Sequence, residues 1–235
     1  MNSAIIVAAG KGLRMGGPVS KQYLSLAGVP ILGRTLKVFE KSGLFEEIIV
    51  VVPAADKEYC CRQVIDKTKM AQAIRIVTGG RDRQESVSNG LAASHGQDDD
   101  TVLIHDGVRP FVSEGVLVQC LAAVNTHGAC ITAIPACDTL KQIDSDGRIA
   151  QTLPRDAVWL AQTPQGFRLG LIRAAHRQAR EAGVVGTDDA QLVERLGQTV
   201  TVVPGSRANI KITTPDDFLL AEAIWRHLQS ASQRV

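Results

Sequence analysis

Ala4-Ile5-Ile6-Val7-Ala8-Ala9-Gly10-Lys11-Gly12-Leu13-Arg14-Met15-Gly16-Gly17-Pro18-Val19-Ser20-Lys21-Gln22 is the stretch on which the fold turns. It opens with a short apolar, β-rich run and passes into a loop dense in glycine, which reads as a buried strand and a long turn. Working outward, Pro30 opens a helical pattern through Leu32, Leu36 and Phe39 that Gly43 closes, and residues 48–52 form a second buried strand. The alternation continues with a polar helical segment over residues 56–67, a strand at 74–77, a helix after Asp82 and a strand at 101–104. Val116, Leu117, Cys120, Leu121 and Val124 then recur at helical spacing before a strand at 130–134. Repeated strand-helix-strand units predict an α/β fold: a single Rossmann-like domain, its mostly parallel twisted sheet covered by helices on both faces.

The rhythm breaks between residues 138 and 162, where two β-patterned runs flank Asp144-Ser145-Asp146-Gly147. The Asp-Gly step favours a hairpin, and an excursion without a crossover helix predicts a protruding β-hairpin arm over residues 138–160. A lone hairpin is marginal in water, so the arm is expected to pair with its counterpart in a homodimer. Residues 168–182 and 188–196 then read as helices, 199–203 as a strand, and Pro215 starts a last helix carrying Phe218, Ala221, Trp225 and Leu228. With 235 residues and no linker, repeat or low-complexity stretch, one domain over 1–235 is expected.

Composition excludes several classes. The net charge of +2 comes from 26 basic and 24 acidic residues scattered along the chain, so no basic stripe marks a nucleic-acid surface. No apolar run approaches the roughly 20 residues that span a bilayer, and no basic, apolar and cleavage pattern marks a secreted chain, so no membrane partner and a cytoplasmic location are expected. The five cysteines, Cys60, Cys61, Cys120, Cys130 and Cys137, are odd in number and form no C-x-x-C pair. They read as reduced packing residues and not as a disulfide framework or zinc knuckle.

Ligands of open parallel sheets bind beyond the carboxyl ends of the strands, which directs attention to the residues just after each one. After the first strand, Gly16, Gly17 and Pro18 prolong the loop past the point where a dinucleotide turn would enter a helix, and no G-K-S or G-K-T closes it as a Walker loop. Glycines let backbone amides approach a polyphosphate, and Arg14 and Lys21 bring positive charge to an anion that changes during reaction. After the fourth strand, His105-Asp106-Gly107-Val108-Arg109-Pro110 puts a carboxylate and a guanidinium at the same rim. Asp106 would face Mg²⁺ or a ribose hydroxyl, or simply cap a turn, while His105 reads as structural. Gly79-Gly80, leading through Arg81-Asp82-Arg83 to Ser86, can bring backbone groups against a base edge or form a tight strand-to-helix turn. Asn209-Ile210-Lys211-Ile212-Thr213 places a lysine within a short β-like run.

Ala8-Ala9-Gly10, Arg14-Met15 and Lys21-Gln22-Tyr23 resemble the opening of the sugar nucleotidyltransferases. His105 to Pro110, Asp138-Thr139-Leu140-Lys141, Thr163-Pro164-Gln165, Thr187-Asp188-Asp189-Ala190 and Asn209 to Thr213 narrow the match. Together they resemble the 2-C-methyl-D-erythritol 4-phosphate cytidylyltransferase family of isoprenoid biosynthesis, over nearly the whole chain, and with 235 residues the cyclase domain fused to this enzyme in some bacteria is not expected. The resemblance implies a CTP-dependent enzyme joining a cytidylyl group to a sugar-alcohol phosphate. It casts Arg14 and Lys21 as neutralising the α- and β-phosphates as pyrophosphate leaves, and Arg155 and Lys211 as holding the attacking phosphate. Thr139, Asp106, Arg109 and Thr187 would line the acceptor pocket, and Ala8, Ala9, Gly10, Gly80, Ser86 and Asp106 the nucleotide pocket. Mg²⁺, or another divalent cation, would sit mainly on the CTP phosphates, with no certain protein ligand. Arg155, near the base of the arm, would reach the acceptor beside the partner's Lys21, so that each site is shared. Arg81 departs from the acidic residue that some relatives carry there, so no side-chain contact is transferred to it.

Two other readings stay open at this level. A ribitol-5-phosphate cytidylyltransferase shares fold and chemistry, although its opening loop more often reads Ala-Gly-Gly than Ala8-Ala9-Gly10. A non-catalytic nucleotide-binding module would need the same glycines but not Arg14, Lys21, Arg155 and Lys211 together. A nicotinamide-dependent dehydrogenase is disfavoured by the missing helix after Gly10.

Overall fold

The structure is a computed structural model that describes residues 1–10 and 20–232; most of the first loop, including Arg14, lies outside the described residues. Strand β1 (Asn2–Val7) lies in the middle of a seven-stranded sheet. Its neighbours are β4 (Glu47–Val52), with Ile5 beside Ile49, and β6 (Thr101–Asp106), with Ile5 beside Ile104, both parallel to it. The edge beyond β4 is β5 (Ile74–Thr78). On the other side come β10 (Trp159–Arg168), β7 (Ala129–Pro135) and β11 (Thr201–Pro204), giving the order β11-β7-β10-β6-β1-β4-β5. Only β10 runs antiparallel in this sheet.

Continuous apolar strands are explained by cover on both faces. Ala4 and Ile6 point to one side, where α1 (Ile31–Ser42), the helical segment that follows β4, and α4 (Glu114–His127) bury Leu36, Phe39, Val64 and Leu117. Ile5 points to the other, against α3 (Arg83–Ala93), α5 (Leu169–Glu181) and α6 (Asp189–Glu194), which bury Leu91, Ile172 and Val193. A third cluster at the carboxyl end joins the hairpin β2 (Ser25–Leu26) and β3 (Val29–Pro30) to α7 (Pro215–Ser232). No helix among the described residues is long and apolar enough to cross a membrane.

Three local expectations are corrected. Residues 56–67 are helical, but in pieces: a 3₁₀ turn, a short α2 (Lys57–Tyr59) and a π-helical stretch, Cys60–Asp66. The lysine run at residues 209–213 is a loop and not a strand. The end of the expected arm, Trp159 and Leu160, instead belongs to β10, which pairs there with β7 and re-enters the body, buried from Gln162 to Phe167. Its polar side chains hid it: Thr163 and Gln165 are buried by hydrogen bonding, which leaves no apolar period, and Pro164 is accommodated where the register shifts between Ala161 and Gln165. The hairpin itself, β8 (Lys141–Ile143) with β9 (Ile149–Thr152), forms as expected in a two-stranded sheet of its own. Asp144 Oδ1 closes its turn by accepting from the Asp146 and Arg148 amides, and Gly147 takes φ 79°.

Candidate active site

Strand order reverses between β1 and β6, and a cleft of about 360 Å³ opens at that switch point, beyond the carboxyl ends of the strands. Val7, Ala8, Ala9 and Gly10 form one wall, Gly80 to Arg83 and Ser86 a second, and Lys21, Asp106 and Lys211 face the same space. The two glycine-bearing loops meet closely: a Cβ on Gly79 would overlap that of Ala9, so the chain can bring these loops together only with glycine there. Asp82 caps α3, accepting from the Glu85 amide at 2.8 Å, and Ser86 Oγ accepts from the Gly80 amide at 3.0 Å while donating to Asp82 O at 2.7 Å. Ser86 thus shapes the Gly80 turn from beneath.

Asp106 is the electrostatic centre. Its side chain is 8% exposed, and its oxygens face Lys211 Nζ at 2.9 Å, Arg109 Nε at 3.5 Å and Arg83 Nε at 3.6 Å. Burial by itself would raise the carboxyl's pKa, but the charges of Lys211, Arg83 and Arg109 more than reverse this and hold it well below the usual carboxylate range. The backbone that carries Lys211 is laced to the segment after β6, because the Ile212 amide donates to Val108 O and Arg109 Nη1 donates to Asn209 O at 2.8 Å. Below lies His105, fully buried. Its Nε2–H donates to Arg109 O at 3.0 Å, so Nδ1 accepts from the Thr163 hydroxyl, which also accepts from the Asp106 amide. Burial pushes the imidazole down to about 4, which keeps it neutral and structural, as expected from the sequence.

Eight of the expected site residues converge on the cleft: Ala8, Ala9, Gly10, Lys21, Gly80, Ser86, Asp106 and Lys211. Arg109 sits behind Asp106. Thr187, on the loop before α6, is exposed and donates its amide to Gln191 Oε1. Thr139 and Arg155 are exposed at the base of the arm, where Arg155 Nη1 donates to Cys137 O at 2.9 Å, and neither lines this cleft.

Arg83 is the functional candidate that sequence reasoning passed over. It lines the cleft, faces Asp106 and donates through Nη1 to Asp189 Oδ2 at 2.7 Å, and Asp189 Oδ1 in turn contacts His176 Nε2 at 3.1 Å. The only signal was the Thr187-Asp188-Asp189-Ala190 motif, whose buried member Asp189 supports Arg83 while Gln165 Oε1 holds the Asp189 and Ala190 amides. Among the described residues, Lys21, Arg81, Arg83 and Lys211 stand against Asp82 and Asp106 in the cleft, four cations to two carboxylates, an arrangement suited to a polyanion.

The sequence model of the IspD family, 2-C-methyl-D-erythritol 4-phosphate cytidylyltransferase, matches residues 2–227. The chain belongs to this family. Among 2-C-methyl-D-erythritol 4-phosphate cytidylyltransferases, that of Geobacter metallireducens is 51% identical over 222 residues, covering 94% of this chain and 95% of its own. That of Syntrophus aciditrophicus is 50% identical over 221 residues, covering 94% of both. The crystal structure of 4-diphosphocytidyl-2C-methyl-D-erythritol synthase from Anaerococcus prevotii superposes with a TM-score of 0.85 at 38% identity, covering 96% of each chain. The cytidylyltransferase structure from Thermus thermophilus gives 0.77 at 34% identity, covering 96% of this chain and 100% of the other.

Proposed function

We propose that this cleft is where the chain transfers a cytidylyl group from CTP to 2-C-methyl-D-erythritol 4-phosphate, releasing pyrophosphate and forming 4-diphosphocytidyl-2-C-methyl-D-erythritol. The observation that carries the assignment is the convergence of Lys21, Lys211 and Arg83 around the buried Asp106 at the switch point, against two glycine-bearing loops. A phosphate oxygen of the acceptor attacks the α-phosphorus, the bond to the bridging oxygen of the β-phosphate breaks, and the electron pair leaves with pyrophosphate. No side chain need form a covalent bond, so the protein's task is positioning and charge neutralisation.

Lys21, with Arg14, stabilises charge gathering on the leaving pyrophosphate. Lys211 holds the attacking phosphate, and its ion pair with Asp106 sets the ammonium in place beforehand. Ala8, Ala9, Gly10, Gly80 and Ser86 shape the nucleotide pocket. Arg109, Thr139 and Thr187 serve the acceptor. Among the described residues no three His, Cys, Asp or Glu side chains gather into a metal cage. The donor set still suits Mg²⁺, which commonly binds through substrate phosphates and one or two carboxylates; Asp106 and Asp82 are the carboxylates at hand, and the ion would add Lewis-acid charge neutralisation.

The arm completes the site in a homodimer that works in the cytoplasm. Thr139 and Arg155 lie outside their own chain's cleft, and the exposed Ile143 and Ile149 pair across the hairpin as a surface for a partner arm. The deciding experiment measures pyrophosphate release with CTP and Mg²⁺ on 2-C-methyl-D-erythritol 4-phosphate and on ribitol 5-phosphate. Release with the first at least ~10-fold faster supports the assignment, and equal or faster release with the second overturns it.

A further inference from the structure

Lys21 stands on a small element that has a long-range tie. After the 3₁₀ turn Lys21–Tyr23, the β2–β3 hairpin pairs Ser25 with Pro30 and Leu26 with Val29. Both residues of its turn are left-handed, Ala27 at φ 47° and Gly28 at 80°. A side chain in that region costs on the order of 1 kcal/mol, so this turn needs an outside hold. Arg34 of α1 provides one: Nε donates to Leu26 O at 2.6 Å and Nη2 to Ala27 O at 2.8 Å. The residue is 9% exposed, and its guanidinium carbon lies 3.5 Å from the centroid of the Trp225 ring on α7. Among the described residues no carboxylate pairs with it, so two carbonyl dipoles and an aromatic face offset the buried charge.

The same helix anchors the other lysine. At the start of α7, Asp217 Oδ2 accepts from the Thr213 amide and hydroxyl and the Thr214 amide, at 2.8, 2.7 and 2.8 Å. Lys211 is two residues upstream of that anchor. One apolar cluster holds Leu26, Ile31, Ile212 and Ala221, with Ile210 and Trp225 packed against it. Helix α7 is therefore a strut between the hairpin that directly follows the Lys21 turn and the loop that bears Lys211.

Resting on the reading that Lys21 serves the leaving pyrophosphate, we propose that Arg34, clamped between the hairpin carbonyls and Trp225, is a positioning residue for Lys21. It fixes the hairpin and so fixes where the ammonium meets the phosphates. A planar guanidinium can bond both carbonyls while stacking; a lysine ammonium offers a point charge and cannot hold the same fork.

The test is a double-mutant cycle on the full-length enzyme, following pyrophosphate release from CTP and 2-C-methyl-D-erythritol 4-phosphate with Mg²⁺. Arg34→Met, Arg34→Lys, Trp225→Leu and Trp225→Phe are each made alone and with Lys21→Ala. Displacing a catalytic group by about an ångström costs up to ~10²-fold, so Arg34→Met should lower kcat roughly 10- to 100-fold while KM for CTP moves less than about threefold. Trp225→Leu should follow Arg34→Met in direction, Trp225→Phe should retain most of the activity, and Arg34→Lys should fall between. In the Lys21→Ala background none of them should lower kcat further. A loss that multiplies with that of Lys21→Ala, or a folded Arg34→Met enzyme with unchanged kcat, overturns the proposal. If Arg34→Met does not fold, the cycle is run on Arg34→Lys, where the same two outcomes overturn it. Full turnover in Lys21→Ala alone would instead remove the assigned role of Lys21.

Discussion

The cleft and the arm are built in opposite ways from the same chain. In and behind the cleft Arg83, Lys211 and Arg109 each face a carboxylate, and Asp106 sits 8% exposed under Lys211 at 2.9 Å. On the arm, Ile143 and Ile149 are each 63% exposed, and Arg155 donates to a backbone carbonyl, that of Cys137. A buried carboxylate is tolerable only when its partners are already in place, so the cleft is preorganised within one chain. A two-stranded hairpin with apolar side chains facing water has little to stabilise it, so the arm reads as a surface awaiting cover. On the proposed reading, the described residues of the nucleotide half come from one chain, and the arm residues assigned to the acceptor half are expected to act in a second copy.

The sharpest way to break this contrast is complementation. Lys21→Ala in the cleft and Arg155→Ala on the arm should each lower turnover by ~10² or more. With differently tagged chains purified through both tags, the mixed dimer holds one site with both defects and one with neither, and should recover about half of wild-type activity. A mixed dimer as inactive as its parents, with normal circular dichroism, would put Arg155 and Lys21 to work within one chain or not at all.

The cleft side is sharpened by acid. His105 is held neutral with its pKa pushed down to about 4, against the ordinary 6.5 of an exposed imidazole in the unfolded chain. Its contribution is fully present above the unfolded value and lost as pH falls through about 4, because the unfolded chain takes up the proton first. The loss amounts to roughly 3 kcal/mol. Asp106 stays charged across that window, since its carboxyl is held below the ordinary range. Urea unfolding from pH 7 to pH 4 should show the decline, and His105→Gln, which can still donate and accept, should flatten it. An unchanged slope in that variant would remove His105 as the cause.

The arm side is sharpened by trimming its apolar pair. Covering the exposed part of an isoleucine stabilises by about 1 kcal/mol, lost once in each chain of a symmetric dimer, so Ile143→Ala or Ile149→Ala should weaken dimerisation by roughly 30-fold in sedimentation equilibrium. Neither should alter the melting of the body. An unaltered dimer constant in both variants would place the interface elsewhere. The smallest expected effect is nucleotide choice. CTP should be preferred over ATP, GTP and UTP by at least ~10-fold, because the Gly80 and Ser86 turn can meet a base edge with backbone groups and a purine needs more room. Equal pyrophosphate release with ATP would show that this wall does not read the base.

Much of the fold was legible because it rests on local signals. Buried parallel strands must be apolar throughout, so Ile5, Ile49 and Ile104 announced their strands, and Asp82 and Gly43 announced helix ends through their capping chemistry. The turn at Asp144 to Gly147 placed the hairpin. Strand β10 was not legible, because its interior is satisfied by hydrogen bonds from Thr163 and Gln165 to residues far away in sequence, and such pairing leaves no period to read. Arg83 escaped for the same reason: an arginine on a helix is ordinarily solvated, and only the fold brings Asp189, 106 residues away, against it. By itself the sequence determined which residue types line the strand ends and how the strands alternate with helices, since both follow from burial and spacing along one chain. Tertiary structure alone decided that Asp106, Arg83, Arg109 and Lys211 share one buried charge cluster while Arg155 stands apart, because electrostatic energy depends on distance through space and the chain records only order.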